Sequence, residues 1–102
     1  MTPLYLIAEI YPRQDKLAQA REVFEDLISK TLQEPGCLLY DLVIEENSGH
    51  WLMLEKWASV QAWELHMATD HVKHVQIVTP ALTSKETVLR FLHPVTEKVQ
   101  TS

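Results

Sequence analysis

Residues 37–57 read CLLYDLVIEENSGHWLMLEKW, from Cys37 to Trp57. Two apolar, β-prone runs flank Asn47-Ser48-Gly49, a cluster with strong turn chemistry, so the stretch predicts a hairpin of strands Cys37–Glu45 and His50–Trp57. An antiparallel sheet with one wet face alternates apolar and polar side chains. These strands do not. Leu38, Tyr40, Leu42 and Ile44 are interleaved with Cys37, Leu39 and Val43, and Trp51, Met53 and Trp57 with Leu52 and Leu54. Apolar groups on both faces imply that both faces are covered.

Upstream, Leu4–Tyr11 is a short apolar strand stopped by Pro12. Asp15 is placed to cap a helix in which Leu17, Ala20, Phe24, Leu27, Ile28 and Thr31 recur at the spacing of one helical face. Pro35-Gly36 ends it. Downstream, Ser59 caps a short helix to Ala68, Thr69 restarts a second helical segment that ends at Pro80, and Thr87–Leu92 forms the last strand before Pro94. The order is β-α-β-β-α-β with the second helix broken in two. That is the pattern of an α+β, ferredoxin-like sandwich: a four-stranded antiparallel sheet with helices on one face. Helices cover one side of such a sheet. A second copy of the chain is the simplest cover for the other, so a homodimer packed through its sheets is expected.

With 102 residues the chain makes one domain, taken as residues 1–93 with a polar tail at 94–102. A formal net charge of -5 argues against nucleic-acid and anionic-membrane surfaces, which require a basic face. Cys37 is the lone cysteine, so no internal disulfide is available, which fits a reducing, cytoplasmic setting. Glu9 interrupts the first apolar run and no basic segment precedes it, unlike a secretory signal. No run reaches the about 18 apolar residues of a membrane span.

The chemistry concentrates between Leu54 and His71. A strand ends in Glu55 and Trp57, and the helix after Ser59 carries Trp63 and His66 one turn apart. Together with Pro35-Gly36-Cys37-Leu-Leu-Tyr40, the strings Leu54-Glu-Lys-Trp57-Ala-Ser59 and His66-Met-Ala-Thr69-Asp-His71 resemble the antibiotic biosynthesis monooxygenase domain, in particular the small quinol monooxygenases. The resemblance runs from about Leu4 to Leu92 in the same element order. It implies a dimeric α/β-barrel assembly with a pocket between sheet and helices. It also implies an activity drawn from a varied set: oxidation of phenols, hydroquinones or anthrones by O₂ without flavin or metal, haem degradation, or isomerisation of a sugar-derived signal.

Oxygenation without a cofactor requires a small aromatic substrate that becomes electron-rich on losing a proton, and a group that takes the proton. A histidine suits that step. His66, His71 and Arg90 are therefore the catalytic candidates, with Arg90 as partner to a phenolate or peroxide. Trp63, Tyr40, Trp57 and Met67 are the candidates for holding the ring. Each has a plainer reading. His71 ties the broken helix together, Trp51 and Trp57 belong to core or interface, Arg90 forms a surface ion pair, and Cys37 is a small strand residue without an activating base.

His66, Asp70, His71 and His74 have the spacing H-x₄-H-x₂-H, which matches neither a helical zinc pair nor a facial triad, so no metal is expected. Gln76, His66 and Ile10 stand where haem-degrading relatives carry their histidine, tryptophan and asparagine, and the chain has no Gly-rich phosphate loop, so no cofactor is expected. Three functions remain open: a cofactor-independent quinol oxygenase, an isomerase or other acid/base enzyme acting on a small polar metabolite, and a non-catalytic dimeric ligand-binding module.

Overall fold

The computed structural model of the chain describes residues 2–96. Strand β1 (Leu4–Ile10) leads through a 3₁₀ turn into helix α1 (Leu17–Thr31). The hairpin of β2 (Cys37–Ile44) and β3 (Trp51–Trp57) follows, then helices α2 (Val60–Met67) and α3 (Asp70–Val78), a second 3₁₀ turn, and β4 (Val88–Leu92). The sheet has the order β2-β3-β1-β4, and every neighbouring pair is antiparallel. This is the ferredoxin-like α+β sandwich expected from the hairpin and its flanks. Of the expected tail, residues 97–102 lie outside the described residues.

Register explains which side chains face the helices. On β1, Leu4, Leu6, Ala8 and Ile10 are buried, and the period of two puts Tyr5, Ile7 and Glu9 on the opposite face. Opposite Leu6 stand Glu55 on β3 and Phe91 on β4, and Tyr40 pairs with Glu55, so one inner row runs Tyr40–Glu55–Leu6–Phe91. Helix α1 lays Ala20, Phe24, Leu27 and Thr31 on this face, as its spacing predicts. On the outer face, Asp41, Leu54, Ile7 and Arg90 form one row, and Val43, Leu52, Glu9 and Val88 another.

Two details differ from the sequence reading. Asp15 does not cap α1. It lies in the preceding 3₁₀ turn and accepts hydrogen bonds from the Arg13 guanidinium at 2.9 and 3.1 Å, while α1 starts after Lys16 with no side-chain cap. Strand β2 does not alternate strictly either. A register shift between Cys37 and Leu39 packs Cys37 against the core and leaves Leu38 exposed, because a bulge places an extra residue outside the ladder.

The breaks around the second helix are built by named caps. Ser59 Oγ accepts the Ala62 N–H at 3.1 Å. Thr69 Oγ1 accepts from Val72 N–H at 3.3 Å and donates to the His66 carbonyl at 2.7 Å, locking the end of α2 to the start of α3. Gly36 adopts φ +87°, and a Cβ there would lie 2.7 Å from the Ala62 side chain. Its carbonyl accepts the Ala58 N–H at 2.8 Å. Only glycine fits both this conformation and this close approach. The loop that carries Glu34 is thereby held against α2.

Candidate functional site

The inner face of the sheet and the helices enclose a cavity of about 540 Å³, within the range of small-molecule sites. Its floor is sheet: Ala8, Ile10, Tyr40, Met53 and Glu55. Its walls are Phe24 and Leu27 of α1, Trp63, His66 and Met67 of α2, and Val72, Val75 and Gln76 of α3. The segment Thr79–Leu89 forms the remainder. The sheet-and-helix side of the lining is mainly apolar apart from Tyr40, Glu55, His66 and Gln76, whereas the segment Thr79–Leu89 contributes mostly polar residues. Trp63 is held edge-on to Phe91, ring centroids 5.1 Å apart.

His66 is 2% exposed. Its ring lies 4.5 Å from that of Trp57, tilted by 38°, with Tyr40 edge-on at 5.3 Å. Its Nδ1 is 2.8 Å from Glu34 Oε2. A carboxylate accepts, so Nδ1 carries the hydrogen and Nε2 keeps its lone pair. Among the described residues Nε2 has no hydrogen-bond partner. Burial lowers the His66 pKa and Glu34 opposes that effect, so the ring is a neutral base with a carboxylate behind it.

The same Glu34 oxygen accepts from His71 Nε2 at 2.7 Å. Glu34 thus joins the loop before β2, the end of α2 and the first turn of α3. The sequence reading did not single it out. It lies 32 residues before His66 and 37 before His71, and only the Pro35-Gly36 turn beside it hinted at a fixed position.

Glu55 was also passed over, as part of a motif rather than a site. It sits on the inner face and is 6% exposed. Its Oε1 accepts the Trp57 indole N–H at 3.0 Å. Burial raises its pKa to about 7, with the Trp57 hydrogen bond opposing and Glu34 adding to the rise. Across the hairpin, burial first and then the Glu55 and Glu34 charges push the Tyr40 phenol well above its ordinary value. Tyr40 is therefore a neutral hydroxyl at the cavity floor.

Of the expected ring-holding residues, Trp63, Tyr40 and Met67 line the cavity. Trp57 does not. It is fully buried and acts from behind, stacking on His66 and bonding Glu55. His71 is likewise absent from the wall and holds Glu34 instead. Arg90 lies on the outer sheet face, where its Nε donates to Glu9 Oε1. Glu9 also accepts from Tyr11 Oη at 2.8 Å. The alternation of β4 turns Arg90 away from the cavity while the neighbouring Leu89 faces it.

This fold with this cavity defines a family. Residues 3–77 match antibiotic biosynthesis monooxygenase, and the chain belongs to that family. Among proteins similar to it is Rv0793 of Mycobacterium tuberculosis, provisionally named a monooxygenase, 26% identical over 96 residues that span 94% of this chain and 95% of that one. The structure of Rv0793 superposes with a TM-score of 0.89, covering 96% and 100% of the two chains. A conserved protein from Methanosarcina mazei Go1 is 26% identical with a TM-score of 0.86, covering 91% and 93%. PA3566 from Pseudomonas aeruginosa is 28% identical with a TM-score of 0.84, covering 94% and 97%.

Proposed function

We propose that this protein is a cofactor-independent monooxygenase that oxidises a quinol or related polycyclic phenol with O₂. The observation that carries the reading is His66 at the wall of the cavity with Glu34 behind it, His66 Nδ1 tied to the carboxylate and Nε2 untied. Family membership and the monooxygenase designation of Rv0793 support it.

In this scheme the substrate ring lies among Trp63, Met67, Phe24 and Met53. His66 Nε2 takes the proton of a ring hydroxyl, and Glu34 stabilises the imidazolium that forms, as carboxylate–imidazole pairs do elsewhere. The phenolate is electron-rich enough to reduce O₂. One oxygen atom enters the ring and the other leaves as water, and the quinol supplies all the electrons. Glu55, whose pKa burial raises to about 7, can return a proton to the reduced oxygen. The apolar sheet-and-helix side of the cavity shields the bound ring from water on that side.

An isomerase acting on a phosphorylated metabolite is served less well. Lys85 is the one cationic side chain among the cavity-lining residues, and its ammonium lies over the Tyr11 ring at 4.3 Å.

The assembly is part of the proposal. Leu39, Val43, Leu54, Val88 and Leu92 form a partly exposed apolar surface with Ile7 on the outer sheet face, which a second copy of the chain covers in a homodimer. Among the described residues no helix is long and apolar enough to cross a membrane.

The test is O₂ consumption by purified protein against hydroquinones, naphthohydroquinones and anthrones, with a chelator present. His66→Ala should reduce turnover by about 10²-fold or more, the scale of a lost general base. The wild-type rate should rise with pH as the imidazole becomes neutral and then level, and the variant should lose that inflection. A His66→Ala protein with the wild-type rate and pH profile would remove His66 from the chemistry.

A further inference from the structure

We propose that Glu34, His66 and His71 form a reversible binding site for a divalent transition metal of the zinc type, and that occupancy of this site disables His66 as a base. The site is an inhibitory one, distinct from any cofactor role, and its binding test does not depend on the oxygenase reading. The spacing of the histidines along the chain gives no metal motif, because the third donor comes from the loop before β2.

His66 Nδ1, His71 Nε2 and a Glu34 carboxylate oxygen all lie within 4.8 Å of one another. The shared oxygen is 2.8 Å from one nitrogen and 2.7 Å from the other. Zinc bonds to such donors at about 2.0–2.2 Å in tetrahedral sites, which sets donors about 3.3 Å apart. Each of the two nitrogen–oxygen pairs must therefore open by about half an ångström to admit the ion, and the two nitrogens already stand within 4.8 Å of each other. Two imidazoles and one carboxylate suit zinc or cobalt rather than calcium or magnesium, which prefer all-oxygen shells. Three protein donors leave a fourth position for water, and the site is partly open, since Glu34 and His71 are only partly buried.

The site is also preorganised. Thr69 locks α2 to α3 through the His66 carbonyl, and Gly36 seats the Glu34 loop against α2. The three donors therefore come from elements already fixed relative to one another, which lowers the ordering cost of binding.

The consequence for His66 follows from its two nitrogens. In the metal-free pair Nδ1 carries the hydrogen and Nε2 the lone pair. A metal needs the Nδ1 lone pair, so the neutral ring must carry its hydrogen on Nε2. His71 shifts its hydrogen from Nε2 to Nδ1 in the same way. Nε2 of His66 is thereby converted from an acceptor to a donor and cannot take a substrate proton.

The experiment is titration of metal-free protein with Zn²⁺ and Co²⁺, followed by calorimetry, the visible ligand-field bands of Co²⁺, and ¹⁵N NMR of the imidazoles. Saturation at one ion per chain is expected, with tetrahedral-type Co²⁺ bands. The His66 and His71 ring signals should exchange their tautomer pattern, while His50, His74 and His93 stay unmoved. Glu34→Gln and His71→Gln should each weaken binding by at least about tenfold, and His74→Gln should leave it unchanged. Should a Glu34 variant fail to fold, the ring signals of the wild-type protein decide the question alone. Absence of saturable binding, binding that survives both Glu34→Gln and His71→Gln in folded protein, or loss of binding in His74→Gln would each overturn the proposal. If oxygenase activity is found, Zn²⁺ should suppress it and a chelator restore it. If no such activity exists, the binding result still stands.

Discussion

Glu55→Gln isolates one buried ionisation and should stabilise the protein at alkaline pH. In the folded chain burial raises the Glu55 pKa from the usual 4.5 to about 7. Between those values the native state holds a proton that the unfolded state has released. Stability therefore falls as pH rises through this window and stays lower above it. A rise of that size corresponds to about 3 kcal/mol. The amide of Gln has nearly the same shape, and its carbonyl can keep the Trp57 N–H bond seen at 3.0 Å. His66 contributes with the opposite sign. Its folded pKa is lowered, so unfolded protein binds the extra proton near the ordinary histidine pKa, and stability is lost as pH falls through that range. Wild-type curves alone mix the two slopes, whereas the difference between Glu55→Gln and wild type does not. The assay is urea unfolding from pH 4.5 to 8.5 at one fixed protomer concentration, because an assembling protein gains stability by mass action. The two proteins should be nearly equal near the acid end, with the variant ahead by up to about 3 kcal/mol above pH 7. Parallel curves, or a variant that is less stable at pH 8, would refute the argument that Glu55 is held protonated by its surroundings.

Other perturbations follow from particular contacts. Gly36→Ala puts a side chain at φ +87° and 2.7 Å from Ala62, and should destabilise by about 1–3 kcal/mol in urea unfolding. Thr69→Ala removes the α3 cap and the tie to the His66 carbonyl. It should lower stability by about 1 kcal/mol, read as a fall in Tm of about 4–8 °C. Leu54→Glu places a charge in the middle of the outer sheet face and should yield a folded monomer by light scattering. An unchanged dimer would show that this face is not the interface. Purified protein should show no flavin band near 450 nm.

The fold was legible because its signals are local. The turn at Asn47–Gly49, the apolar spacing of α1, and the caps at Ser59 and Thr69 each act within a few residues, and each occurs where the sequence placed it. The misread details involve competition that the sequence does not display. Arg13 draws Asp15 into an ion pair, and a bulge after Cys37 breaks the period of two on which the β2 faces were assigned. The site was legible only in part. His66, Trp63, Tyr40 and Met67 reach the cavity because helix and strand periodicity put them there. Arg90 read as an oxyanion partner because of its chemistry, yet its place on β4 aims it at Glu9. Glu34 and Glu55 were missed for different reasons. Glu34 acts across the fold through hydrogen bonds to residues more than 30 positions away. Glu55 looks like a solvent-facing charge until its inward register is known.

Two of the shifted groups lining the cavity, His66 and Glu55, respond to one cause with opposite consequences. Burial disfavours charge, so it lowers the pKa of His66 and raises that of Glu55. What separates them is the partner behind each. Glu55 has an indole N–H and no cation, so it gains little compensation when it ionises. His66 has the Glu34 carboxylate at 2.8 Å, so a positive charge formed on its ring is met at once by a negative one. Among the described residues lining the cavity, His66 is the imidazole with such a carboxylate behind it. In the proposed reaction, a proton leaving a bound phenol would therefore be directed to His66, and a proton required by a developing anion would be most readily drawn from Glu55. Environments that push two titratable groups in opposite directions assign the acid and the base. Here the assignment depends on Glu34, which meets the His66 proton on one side and the His71 proton on the other.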